Sequence, residues 1–219
     1  MLKPIIFVGK AQSGKDTSCF YLRQFLTNSH IFAFATPLKQ FCHEVLGIEY
    51  EKLWGTNDQK NLPTHLKYSD FVNVVGHERA KNINPKLLEH PDNFLTGREI
   101  LQYWGSDVCR IFYPDCWAKA TITAMHKKYY DRVMPPYEIF FGLISDARFP
   151  NEIECFLKAG LSPIIIRLLR NPINSNHKSE IAFDNYDFSM VPNYIEIDNR
   201  NMTLQEKDKL VLSTVRKFI

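Results

Sequence analysis

Gly9-Lys10-Ala11-Gln12-Ser13-Gly14-Lys15-Asp16-Thr17 carries the strongest structural signal in this chain. Upstream lies Pro4-Ile5-Ile6-Phe7-Val8, rich in β-branched and aromatic residues, which suits a buried strand. Downstream, Ser18 to Leu26 places apolar residues at 19 to 22, 25 and 26, which suits a helix. A glycine, four residues and Gly-Lys between a strand and a helix predict a phosphate cradle. Backbone N–H groups and the helix N-terminus face the anion, and the lysine reaches its outer phosphates. Lys15 is the candidate ATP-phosphate lysine, with Gly9, Lys10, Gln12, Ser13, Gly14, Asp16 and Thr17 as its neighbours in the loop.

The usual pattern puts Ser or Thr directly after the lysine to touch Mg²⁺; here Asp16 stands there and Thr17 follows one residue later. A carboxylate beside a triphosphate repels it unless a cation or a hydroxyl intervenes. Asp16 is therefore expected to orient metal, water or acceptor phosphate, or else simply to favour the helix N-terminus.

The composition is that of an ordinary globular chain. Its 219 residues suffice for one good core with appended lids, and 45% hydrophobic against 23% charged residues argues against disorder. A net charge of +3 without a long Lys/Arg block is too mild for a nucleic-acid polymer as partner, and small anionic ligands explain it. Five cysteines without a C-x-x-C spacing read as reduced, mostly buried thiols rather than a disulfide framework or zinc site. No stretch approaches the roughly 18 apolar residues of a membrane span, and the N-terminal run is too short for a secretory core, so a cytoplasmic protein is expected.

Along the chain strands and helices alternate. His30 to Ala35 suits a second strand, followed by a helix from Pro37 through Leu46 that Gly47 closes. Lys39 then stands near a strand's carboxyl end, where open α/β sheets bind ligands, unless it is merely solvated. Residues 48 to about 95 show little pattern and are expected to be a substrate-side insertion over the active site. Thr96 and Glu99 have capping-box spacing and open a helix through Trp104. On it Arg98 and Gln102 share a face and present a guanidinium and an amide to a phosphate and a base, or to solvent.

A further helix is expected over 117 to 130, ending before Pro135-Pro136. The near-continuous apolar run from Tyr137 to Ile144 predicts a strand buried on both faces. It delivers Ser145-Asp146-Ala147-Arg148 to the sheet's carboxyl end, where phosphotransfer needs a carboxylate near Mg²⁺ and a cation near the moving phosphate. The alternatives are a helix cap for Asp146 and an ion pair with Glu152 for Arg148. Phe149 to Glu152 begins a helix ending at Gly160; Pro163 to Leu169 and Asn193 to Ile197 suit strands; Thr203 caps a terminal helix. About 170 to 190 is polar: either a lid bringing Arg170 to the phosphates, or a solvated loop.

Several separated segments together resemble the bacteriophage-type deoxynucleoside monophosphate kinases of the P-loop superfamily. They are Ser13-Gly14-Lys15-Asp16-Thr17, Ala35 to Lys39, Arg98 to Asp107, Asp115-Cys116-Trp117, Asp146 to Glu152, His177 to Glu180, and Asn193. Thr36 departs from the Asp or Gly frequent in that family. The resemblance implies a single α/β domain with a parallel sheet flanked by helices, a monophosphate-binding insertion and a lid. It implies γ-phosphoryl transfer from ATP, with Mg²⁺, to a deoxynucleoside monophosphate. Lys15, Asp16, Arg148 and Arg170 would be catalytic, and Thr17 and Asp146 metal ligands. Lys39, Arg98, Gln102, Asp107, Asp146, Glu152, His177, Ser179 and Glu180 would bind substrate. A viral nucleotide-supply role in host cytoplasm follows from the resemblance alone, and a homodimer stays open. The rivals are a kinase of another phosphorylated acceptor such as phosphomevalonate, and a non-catalytic nucleotide-binding protein.

Overall fold

A computed structural model describes residues 1–131, 138–172 and 181–219. In chain order, β1 (Leu2–Val8), α1 (Lys15–Phe25) and β2 (Ser29–Phe32) come first, then α2 (Ala35–Glu44). The short helices α3 (Tyr50–Trp54) and α4 (Asn57–Lys60) precede β3 (Pro63–Lys67), and α5 (Tyr68–Val75), α6 (His77–Ile83) and α7 (Lys86–Glu89) precede β4 (Phe94–Thr96). After α8 (Gly97–Gln102) a π-helical stretch, Tyr103–Cys109, leads into α9 (Arg110–Phe112) and α10 (Cys116–Tyr130). The chain closes with β5 (Phe140–Ile144), α11 (Pro150–Lys158), β6 (Ile164–Leu168), β7 (Tyr194–Ile197) and α12 (Leu204–Val215). Among the described residues no helix is long and apolar enough to cross a membrane.

Two compact units emerge. The first comprises Met1–Phe34 and Trp117–Ile219, the second Ala35–Cys116. The first is a mixed α/β unit whose five strands are all parallel, in the order β2-β5-β1-β6-β7. Parallel strands covered on both faces are apolar throughout, as β5 is from end to end. Because side chains alternate along a strand, Ile6 and Val8 enter one core with Phe140, Met125 and Phe156, while Ile5 and Phe7 enter another with Leu143, Leu22 and Val211. α10 and α11 thus cover one face, and α1 and α12 the other. The ladder between β1 and β5 reaches Ile6 opposite Ile144, so the loop after Val8 and the segment after Ile144 emerge at one end of the sheet. Such carboxyl ends are where open α/β sheets take ligands.

In the second unit β3 and β4 form an antiparallel pair, with Thr64 Oγ1 donating to the Leu95 carbonyl at 2.7 Å. Phe41, Phe71, Tyr103 and Trp104 pack as an aromatic cluster with ring centroids 5.4–6.2 Å apart.

Two sequence expectations change in detail. β2 ends at Phe32 and α2 begins at Ala35, two residues before Pro37, because a proline within the first turn forfeits only an N–H that has no helical partner anyway. Within the segment that showed little pattern, Phe71–Val75 is part of a helix whose burial falls on Tyr68, Phe71 and Val72 at i, i+3 and i+4. The helix that opens at Gly97 does not stay α-helical to Trp104 but widens at Tyr103. Gly105 lies in the widened stretch, and a Cβ there would stand 2.6 Å from Leu38 Cδ2.

Candidate functional site

The loop between β1 and α1 is closed by Gly14, the N-cap of α1, at φ 98°. Lys15 opens the helix and folds its ammonium back over the loop, donating to the carbonyls of Gly9 and Lys10, each at 2.7 Å, and to Ser13 Oγ at 3.4 Å. Gln12 has φ 59°, a left-handed residue in the middle of the turn. Ser13 is buried and Asp16 exposed in the first turn of α1. Among the described residues, the loop therefore gathers a glycine cap, a lysine and a carboxylate at one helix N-terminus.

β5 supplies the next groups. Ser145, 7% exposed, donates through its hydroxyl to Asp16 Oδ1 at 2.5 Å. Asp146 Oδ1 accepts the Phe34 N–H at 2.8 Å, so this carboxylate ties the exit of β2 to the exit of β5. Arg148 is exposed. Glu152 is buried, and its Oε2 accepts the backbone N–H groups of Arg148, at 2.7 Å, and Phe149, at 3.0 Å. It thereby caps α11, whose first residue is Pro150.

The Cys19 thiol reports the local field. Burial pushes its pKa well above the ordinary thiol value, and the charges of Asp16 and Asp146 push the same way, while Lys207 and Lys15 pull it back. Two carboxylates and two ammonium groups thus act on one buried sulfur.

Lys207 was not anticipated, and neither was its setting. It is 2% exposed on α12, and its ammonium donates to the Gly14 carbonyl at 2.8 Å and to Thr17 Oγ1 at 2.6 Å. It pairs with Asp208 at 2.9 Å, whose Oδ1 in turn accepts the Ser18 hydroxyl at 2.9 Å. Asn199, also 2% exposed, donates from Nδ2 to the Ser13 carbonyl and accepts the Arg170 N–H, both at 2.9 Å. A signal for the charged pair existed. Lys207, Asp208, Val211, Leu212 and Val215 fall at helical spacing on one face, so a Lys-Asp pair stands inside an apolar stripe.

Thr17 Oγ1 donates to the Gly14 carbonyl at 2.8 Å and accepts from Lys207, so the hydroxyl expected at the metal already has an ammonium beside it. Arg170 is exposed, and its backbone N–H is engaged by Asn199. His177, Ser179 and Glu180 lie outside the described residues. A cavity of about 170 Å³ opens beside Gly9 and Lys10, between the ends of β1 and β6, with Arg167, Leu168, Phe183 and Asp184 in its wall. Lys10 is ion-paired to Asp184 there at 2.7 Å.

The remaining candidates belong to the second unit. Thr96 and Glu99 form the expected capping box: Thr96 Oγ1 accepts the Glu99 N–H at 3.2 Å, and Glu99 Oε2 accepts the Thr96 N–H at 2.9 Å. Arg98 and Gln102 both project from the exposed side of α8. Arg98 donates to Asn61 Oδ1 at 2.8 Å and Asn57 Oδ1 at 3.0 Å, an anchoring by α4 that the sequence did not suggest. Lys39 Nζ stands 5.8 Å from the Trp54 ring centroid, a cation–π placement. The Asp107 carbonyl accepts from Arg79 within the π-helical stretch. Glu99 also accepts the Tyr68 hydroxyl at 3.1 Å, and burial first, then that carboxylate, push the phenol up to about 12.

No family model matches the chain. A protein of Acanthamoeba polyphaga mimivirus named "Putative deoxynucleotide monophosphate kinase" is 28% identical over an alignment of 219 positions that covers 95% of this chain and 93% of that protein.

Proposed function

We propose that this chain is an ATP-dependent deoxynucleoside monophosphate kinase, giving the deoxynucleoside diphosphate and ADP. The observation that carries the proposal is the strand–loop–helix of residues 2 to 25. Its Gly14 cap and Lys15 lie at the carboxyl end of a parallel sheet, next to the Asp16–Ser145 pair. The name of the mimivirus relative and its nearly full-length match support a kinase role.

In this scheme the loop amides and Lys15 hold the donor phosphates, for which the lysine exchanges the Gly9 and Lys10 carbonyls for phosphate oxygens. Mg²⁺ binding needs hard oxygen donors, commonly one or two carboxylates completed by substrate phosphates and water. Asp16 and Asp146 meet that requirement, whereas a divalent ion at Thr17 Oγ1 would face the Lys207 ammonium across a hydroxyl. We therefore favour Asp16 with Asp146 over Thr17 as the metal's protein ligands. Bound there, the ion would neutralise charge on the transferring phosphate. Arg148 and Arg170 supply cations to the phosphates, and His177, Ser179 and Glu180 bind substrate. Lys39, Arg98, Gln102 and Asp107 of the second unit take the acceptor. An ionised phosphate acceptor needs no strong general base, so positioning and charge neutralisation carry the chemistry.

The test is ADP formation from Mg²⁺-ATP with dAMP, dGMP, dCMP, dTMP, the four ribonucleotides or phosphomevalonate, against a control without acceptor. Stimulation by deoxynucleotides, lost in Lys15→Ala at unchanged fold, is the expected result. ATP binding with no turnover on any nucleotide would overturn it.

A further inference from the structure

A trans peptide is planar, with its carbonyl and the following N–H on opposite sides. Whatever grips a loop carbonyl therefore also aims the next amide. Asn199 grips the Ser13 carbonyl, and Lys207 adds an ammonium to the Gly14 carbonyl, which also accepts the Ser18 N–H at 3.1 Å and the Thr17 hydroxyl at 2.8 Å, so the N–H groups of Gly14 and Lys15 are turned to the opposite side. These two successive amides straddle the left-handed Gly14, in the concave arrangement that binds anions. Both gripping side chains are 2% exposed, and both come from the last 21 residues of the chain.

The Lys207–Asp208 pair is an expensive way to hold a helix. Removing two charges from water costs several kcal/mol per ion, and well-packed apolar residues often serve a core as well or better. The ammonium nevertheless spends its hydrogen bonds on Gly14 and Thr17, both in the loop, and Asp208 spends one on Ser18, one residue beyond it.

We propose that Asn199 and Lys207 are positioning residues of an anion site in the Gly9–Thr17 loop, presetting the Gly14 and Lys15 amides for a polyphosphate from behind. The proposal rests on the phosphate-binding reading of that loop. Neither side chain is expected to touch the anion. Their effect is that the amides already point the right way when the phosphates arrive.

Asn199→Asp is the sharpest test. It keeps the size of the side chain and an oxygen for the Arg170 N–H, but replaces the donor to the Ser13 carbonyl with a repelling acceptor. The double variant Lys207→Met/Asp208→Asn removes the buried pair as a unit and orphans neither charge. Full-length protein is titrated by calorimetry with ATP and with tripolyphosphate, which carries the anion but no base, after circular dichroism and a cooperative melt have established folding.

Each variant is expected to weaken ATP and tripolyphosphate together, by about 10- to 100-fold, the range of a charge-assisted hydrogen bond. The acceptor KM should stay at its wild-type value, a split that general loosening of the fold would not produce. Folded variants with wild-type affinity for both ligands would overturn the positioning role alone. Weaker binding of ATP with unchanged tripolyphosphate would also overturn it, because the loss would then lie at the base. A wild-type protein that binds neither ligand would remove the phosphate reading itself, and the positioning role with it. Either variant decides by itself if the other does not fold.

Discussion

Replacing Gly14 by alanine tests the support behind the loop without any ligand. The new Cβ would stand 2.7 Å from Lys207 Nζ and 3.4 Å from its Cδ. At φ 98° an L-residue pays a left-handed backbone penalty of about 1–2 kcal/mol. The ammonium is the end of a flexible chain, but it is buried and already bound to Gly14, Thr17 and Asp208, so moving aside breaks at least one charged hydrogen bond, worth about 1.5–3 kcal/mol. Together these predict a loss of about 2.5–5 kcal/mol. Gly160→Ala separates the two contributions: its φ is +72°, and nothing lies within 4 Å of its would-be Cβ, so it carries the backbone penalty without the clash. Urea unfolding followed by far-ultraviolet circular dichroism should place Gly14→Ala about 1.5–3 kcal/mol below Gly160→Ala, the margin assigned to the broken charged bond. Equal losses in the two variants would mean that Lys207 yields freely, and would refute its description as a fixed support.

Ser145→Ala removes the hydrogen bond to Asp16 Oδ1; we expect kcat to fall about tenfold at unchanged ATP affinity, and an unchanged kcat would show that Asp16 is oriented by something else. Arg98→Ala should raise the acceptor KM and leave the ATP KM alone, as steady-state kinetics with each substrate varied in turn would show; a rise in the ATP KM instead would take Arg98 off the acceptor side. The buried thiols should resist alkylation in the folded protein. Cys42 is pushed up to about 12, mainly by burial, so at pH 8 only about one molecule in 10,000 carries the thiolate. Cys19 is shifted in the same direction, and both should be labelled, by mass mapping, only once the protein unfolds.

Much of the parallel sheet was legible because its signals are local. The apolar run at 4–8 lies within β1, the run at 137–144 contains β5, and the spacing of Thr96 with Glu99 locates a helix start to the residue. The segment from 48 to 95 was opaque for a physical reason. Its helices run from four to eight residues, two turns or so, too short for a periodicity to establish itself, and β3 and β4 are five and three residues long. The π-helical stretch was invisible because Tyr103 to Cys109 reads as an ordinary helix continuation. At the candidate site, Lys15, Asp16 and Asp146 could be placed from their neighbours in sequence. Asn199, Lys207 and Asp208 could not, since the bonds that define them span 186, 193 and 190 positions of chain.

That separation shapes how the site is held. An N-terminal loop with an open left-handed cap has no intrinsic reason to stay in one conformation, because glycine makes it as free as it makes it adaptable. The first unit restrains it with side-chain donors from two places in the chain. β5 contributes a hydroxyl that fixes the carboxylate of Asp16 in the first turn of α1, while the C-terminal segment contributes an amide and an ammonium that fix the loop's carbonyls. Each restraint spends a side-chain donor on an oxygen, and together they hold one carboxylate and two carbonyls without engaging the amides of Gly14 and Lys15. Because each peptide is planar, fixing these carbonyls also fixes the direction of the N–H that follows each of them. That long-range support, and not the glycine spacing alone, is what the anion site proposed for residues 9 to 17 rests on.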